Sequence, residues 1–182
     1  PKNRDGCSLN AHLMLPRSIF PDKYQFRDSL YLASKNLTAL RHVTLPVDLE
    51  APEYTMSLWG SSLLVELAPP PPSAESWTAE IPLHLRYLLP TESGYRTTDV
   101  PAPVVFWACE ADEESKLGVN PFDRRNLGYD GLFGGNTLFY HMKPEVGEGG
   151  GLYSEVEVPV LSTKYNAQME VGTALVVGVG FG

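Results

Sequence analysis

The chain is poor in cysteine, with only Cys7 and Cys109 in 182 residues. That excludes a dense disulfide scaffold, and the lack of any Cys-x-x-Cys removes the usual zinc and redox arrangements. The four histidines, His12, His42, His84 and His141, never stand three or four apart, so the helical spacing of a metal pair is missing too. Basic charge is scarce. Fourteen bases against 22 acids leave a formal net charge of −8, which repels a phosphate backbone and argues against nucleic acid as a partner. Helix-breaking residues, by contrast, are abundant: sixteen prolines and sixteen glycines suit short strands joined by turns.

What is present is alternation with period two, the mark of a half-buried strand. Leu9, Ala11, Leu13 and Leu15 point one way, with Ser8, Asn10 and His12 between them. Ile81, Leu83, Leu85, Tyr87 and Leu89 alternate with Pro82, His84 and Arg86, and Val156, Val158 and Val160 alternate with Glu155, Glu157 and Pro159. Residues 103–109 are continuously apolar, as in a strand covered on both sides. Residues 62–67 and 137–142 are further strand candidates. The spacing of Phe26, Leu30 and Ala33 predicts one helix within 23–36, with Asp22 as its cap. The tetraproline at 69–72 is an extended exposed loop, and 146–151 is a flexible turn. Six or seven strands without strand–helix alternation predict an all-β, antiparallel β-sandwich.

Three features bear on the compartment. In a cytosolic chain Cys7 and Cys109 read as two unrelated buried thiols; in an oxidising lumen they read as one long-range disulfide. Asn36-Leu37-Thr38 is a glycosylation sequon, which favours the lumen. The run at 171–182 is twelve residues without a charge, shorter than the ~20 residues that span hydrocarbon as a helix. It reads either as a last core strand or as the start of a membrane helix. The opening at Pro1, without a signal-peptide pattern, reads as a segment of a longer protein.

No catalytic constellation stands out. Gly60-Ser61-Ser62 lacks the second glycine of a nucleophile elbow. Asp112, Glu113 and Glu114, beside Lys116, read as a solvated loop, and the glycine-rich 128–135 lacks the Lys-Ser/Thr ending of a phosphate cradle. Residues 120–133 mix aromatics with arginines. They read either as an ordered loop packing Phe122 and Phe133 onto the domain or as a contact surface built from Phe122, Arg124, Arg125, Tyr129, Leu132 and Phe133, residue types that dominate interface energies.

An ordered set of segments resembles a known family. Residues 7–16 with 19–24 look like the opening of PIG-X domains, and 48–54 are similar to their acidic–Ala-Pro-x-Tyr element. Residues 81–87 resemble the central strand, 103–109 the strand bearing the second cysteine, and 120–133 the fungal protease-B-nonderepressible branch. The resemblance implies an endoplasmic-reticulum membrane protein with a lumenal domain at 1–168 and a C-terminal membrane helix beginning within 169–182. It implies a Cys7–Cys109 disulfide and a non-catalytic role without cofactor, metal or small-molecule substrate. The implied partner is the catalytic, PIG-M-type subunit of GPI mannosyltransferase I, which adds the first mannose in GPI-anchor biosynthesis. Three other readings compete with it. One is a general lumenal chaperone and another a carboxylate hydrolase. The third is a sugar-binding module, which needs Trp59 and Trp77 exposed on one face, although the neighbours of Trp59 point to a buried ring.

Overall fold

The computed structural model describes residues 6–44, 48–111, 128–144 and 152–181. Among them nine strands and two α-helices follow in this order: β1 (Cys7–Leu15), β2 (Ile19–Phe20), α1 (Ser29–Ser34), β3 (Leu37–Val43), β4 (Ser61–Leu67), β5 (His84–Leu85), β6 (Tyr95–Pro101), β7 (Val104–Glu110), β8 (Thr137–His141), β9 (Tyr153–Pro159) and α2 (Asn166–Gly180). The fold is mostly antiparallel β, as the alternation predicts. Five strands form one sheet in the order β3-β4-β1-β7-β8, so the first strand in sequence lies at the centre. Facing it, among the described residues, are two-stranded ribbons (β2-β5 and β6-β9) and extended segments rather than a second broad sheet.

The register explains the core. β1 pairs Ala11 with Val65 and Leu13 with Leu63 of β4, and Leu9 with Trp107 of β7. Because side chains alternate across a strand, Leu9, Ala11, Leu13, Leu15, Leu63, Val65, Trp107 and Cys109 share the first face. Phe26, Leu32, Ile81, Leu83 and Val100 pack over it. β7 is covered on both sides, as its continuous apolar run predicts: Phe106 and Ala108 turn to the second face, with Leu64, Phe139 and Tyr129. In β9, Val158 is buried while Glu155, Glu157 and Pro159 are exposed, and among the described residues β9 pairs only with β6, where a proline is tolerated.

Several expectations are corrected. The helix within 23–36 is shorter than its spacing suggests. Asp28, not Asp22, caps α1, its carboxylate accepting from the N–H groups of Leu30 and Tyr31, and Leu30 is exposed while Leu32 is buried. Asp22 instead accepts from the Tyr24 N–H one turn earlier. The alternation at 81–89 yields only the two-residue β5, and its faces are reversed beyond it. Leu85, Tyr87 and Leu89 are exposed, whereas Arg86 is buried. Arg86 stacks over the Phe20 ring and donates to the carbonyls of Asp48 and Ala51, which satisfies a buried cation through main-chain acceptors. The apolar run at 171–182 is not a core strand. Its residues 171–180 belong to α2, which begins at Asn166 and has its side chains exposed, and among the described residues no helix is long and apolar enough to cross a membrane.

One glycine sets the turn that leads into β4. Gly60 has φ of 65°, and a Cβ there would lie 1.9 Å from the Leu15 carbonyl oxygen. Gly60→Ala should therefore destabilise the domain by about 3 kcal/mol, combining a left-handed backbone with overpacking against main chain. An unchanged urea midpoint would show that the turn simply gives way.

Candidate functional site

Cys7 and Cys109 are directly opposed in the β1–β7 register and form a disulfide that closes 102 residues of sequence. The bond ties the central strand to its neighbour at one end of the sheet. Asn36 sits near that same end, before Leu37, and its backbone carbonyl accepts from the Ala68 N–H. Its side chain is exposed and donates to the Thr78 carbonyl at 2.7 Å, and Thr38 is exposed as well.

The second face of the sheet holds the polar residues that the alternation assigns to solvent. Asn10 and His12 are buried there, and this corrects the expectation of an exposed His12. The segment before β8 lies over them. The Tyr129 ring stacks on Phe106 at 4.4 Å, stands 5.0 Å from His12, and its hydroxyl bonds His141 Nε2. Asn10 donates to Ser8 through Nδ2, while its buried Oδ1 has no hydrogen-bond partner among the described residues. Burial also pushes the Tyr129 phenol up to about 12, with Asp130 adding to the shift.

The same burial holds His12 below its ordinary 6.5. Above that pH both the folded and unfolded chains carry a neutral imidazole, so His12 adds no slope. On acidification the unfolded chain takes the proton first, and stability falls as pH drops through and below about 6.5. His12→Gln should remove this part of the acid slope, measured as urea midpoints between about pH 8 and 5; parallel slopes for the two proteins would contradict the assignment.

Of the expected contact residues, Tyr129 and Phe133 are taken into the aromatic cluster of the second face, in T-shaped contact with Phe139, and Leu132 is exposed. Phe122, Arg124 and Arg125 lie outside the described residues. Arg41 stacks near Phe133 and pairs with Glu66. His84, expected on an open polar face, is half-buried, stacked on Phe20 and bonded to Gln25.

On the first face an apolar cleft of about 480 Å³ opens between Trp77, Ile81, Trp107 and Met142. Among the described residues no carboxylate lines it. Among the described residues no group of three or more His, Cys, Asp or Glu could hold a metal ion. Trp77 is half-buried against the core, whereas Trp59 is 89% exposed at the tip of the turn before β4. The expectation of a buried Trp59 fails because Gly60 turns the chain outward there. The two indoles make no paired platform for a sugar.

The acidic–Ala-Pro-x-Tyr element has a structural role that its composition did not disclose. Asp48 and Ala51 supply the carbonyls that hold Arg86, and Glu53 pairs with Arg17 beyond the end of β1. It thus fastens the β2–β5 ribbon to the sheet end opposite the disulfide.

These features define a disulfide-braced, mostly antiparallel β domain with exposed apolar side chains at one end. A family model described as PIG-X / PBN1 matches residues 1–182. The chain is 53% identical over 176 residues to Protein pbn1 of Neurospora crassa and 52% identical over 194 residues to Protein pbn1 of Emericella nidulans. Those matches cover 96% and 100% of this chain but 35% and 37% of the relatives. Protein PBN1 of Saccharomyces cerevisiae is 29% identical over 177 residues, covering 96% of the chain and 36% of the relative. The chain belongs to the PIG-X / PBN1 family, and it spans little more than a third of the length of these curated relatives. No solved structure matches it.

Proposed function

We propose that this domain is the lumenal part of a non-catalytic accessory subunit, which holds and stabilises the PIG-M-type catalytic subunit of GPI mannosyltransferase I in the endoplasmic-reticulum membrane. The observation that carries the reading is family membership across the whole chain. The physical features agree with it. A holding subunit needs a rigid frame, which the five-stranded sheet and its disulfide provide. It needs a compartment where that disulfide persists, and the lumen is one. The exposed sequon, with Asn36 and Thr38 open to solvent, fits a glycan there. It also needs a tether. The proposal gives that role to α2, whose apolar side chains from Val171 onward are exposed.

Tethering holds the domain near its partner at high local concentration, so a modest lumenal surface suffices for contact. Exposed Leu132 and the 120–133 region are the proposed contact, together with α2. The test is depletion of the full-length protein, followed by quantitation of the catalytic subunit and of unrelated lumenal proteins. Selective loss of the mannosyltransferase, and its recovery with the full-length protein from mild detergent, supports the accessory role. Loss of many unrelated lumenal proteins with the mannosyltransferase unchanged replaces it with a general chaperone.

A further inference from the structure

The two ends of the sheet differ in chemistry. β1 has nine residues, which at a rise of about 3.4 Å separates its ends by roughly 27 Å. At the Cys7 end lie the disulfide and the sequon. At the Leu15 end a continuous set of contacts leads to α2. Leu15 pairs with Ser61, beside the turn that carries Leu58 and Trp59. Arg17 pairs with Glu53, whose N–H donates to the Tyr87 carbonyl, and Ser18 bonds Thr98 of β6 at 2.7 Å. Four residues after Tyr87, the Thr91 N–H donates to the Leu161 carbonyl and the Thr91 carbonyl accepts from Thr163, immediately before α2.

This end exposes large apolar and amphipathic side chains that the core has no use for. Trp59 is 89%, Tyr87 84%, Leu58 79% and Leu161 78% exposed, and Tyr54 and Tyr165 are open as well. A soluble surface seldom concentrates such residues without a partner. Tryptophan and tyrosine, apolar in the body and polar at the tip, are the side chains favoured at a membrane–water boundary.

The geometry points to this end as a docking surface for a lipid bilayer. The Leu58–Trp59 turn sits in the headgroup–acyl boundary beside the start of α2, with the disulfide and Asn36 directed away from the membrane. The lipid it fits is zwitterionic. Arg17 is spent on Glu53 and Arg86 on backbone carbonyls, Lys164 lies over the Tyr165 ring, and the chain as a whole carries a net −8, which disfavours an anionic headgroup. The inference rests on the membrane attachment proposed through α2, and it adds that the β domain itself touches lipid.

The test uses the full chain mixed with phosphatidylcholine vesicles whose acyl chains are brominated near the carbonyl or deep in the chain. Trp59→Phe isolates the emission of this indole from those of Trp77 and Trp107, and an unchanged urea midpoint confirms that the variant is folded. The expected result is a roughly twofold or greater loss of the Trp59 emission, with a blue shift, stronger for the shallow bromine than for the deep one. If the chain floats with the vesicles but Trp59 stays quenchable by aqueous acrylamide, the docking surface is overturned while attachment through α2 stands. If Trp59 becomes shielded only when the catalytic subunit is added, the surface belongs to a protein partner and the lipid assignment is wrong. A chain that does not float with the vesicles overturns both readings.

Discussion

Breaking the Cys7–Cys109 bond, by reduction or by replacing both cysteines with alanine, is expected to lower the stability of the domain by about 4–5 kcal/mol. The bond closes 102 residues of sequence, and restricting the unfolded chain over such a loop accounts for a value near 4.7 kcal/mol. A single domain typically holds only about 5–15 kcal/mol in all, so the loss puts a large part of the population at risk of unfolding. Topology adds to the effect. β1 is first in sequence but central in the sheet, flanked by β4 and β7, which arrive about 50 and 100 residues later. The disulfide pins the more distant of those two pairings at its end. The measurement is the urea midpoint of oxidised, reduced and doubly substituted protein. Mass spectrometry of the unreduced protein should first show the two cysteine peptides linked. Coincident midpoints would mean that the β1–β7 ladder holds without the bond, and the unfolded-state argument would fail.

How far the sequence reveals this fold depends on whether a strand's neighbours lie in its own pattern. β1, β7 and β9 are legible because their apolar faces repeat with period two or run unbroken, and the sheet buries those faces as the pattern requires. Residues 81–89 mislead because the same alternation there serves a short ribbon. Arg86 turns inward to cap carbonyls of a distant loop, which no local pattern announces. Asn10 and His12 mislead for a related reason. A polar residue on an alternating face signals solvent only if nothing covers that face, and the cover comes from Tyr129, more than 100 residues away. Trp59 fails in the opposite sense. Its apolar neighbours suggest a core position, but the left-handed Gly60 ends the turn against the Leu15 carbonyl and leaves the ring outside. The functional reading owes more to the ordered family segments than to any one reactive residue. The exposed end beyond β1 emerges only from long-range pairings: Leu15 with Ser61 places the Leu58–Trp59 turn there, and the hydrogen bonds of Glu53 and Thr91 bring in Tyr87 and Leu161.

The cover over the second face yields the other large prediction. Phe106 is 0% exposed at the centre of that face, stacked on Tyr129 and meeting Phe139 and Phe133 edge-on at 5.6 and 6.0 Å. Phe106→Ala should cost about 3–5 kcal/mol, because burial and aromatic contacts are lost together and the rigid sheet cannot collapse into the gap. Phe106→Leu keeps most of the volume and should cost about 1.5 kcal/mol or less. The two variants should also differ at His12. With the alanine, Tyr129 loses the ring it stacks on, the segment over the face loosens, and water reaches the imidazole. The desolvation that holds His12 below its ordinary 6.5 then weakens, so its titration should move up toward that value, visible in the ring-proton NMR signals. With the leucine it should stay low. If alanine and leucine cost the same and neither moves His12, then Tyr129 is held by its hydroxyl bond to His141 rather than by Phe106. In that case the aromatic stack merely fills space under a cover fastened at its rim.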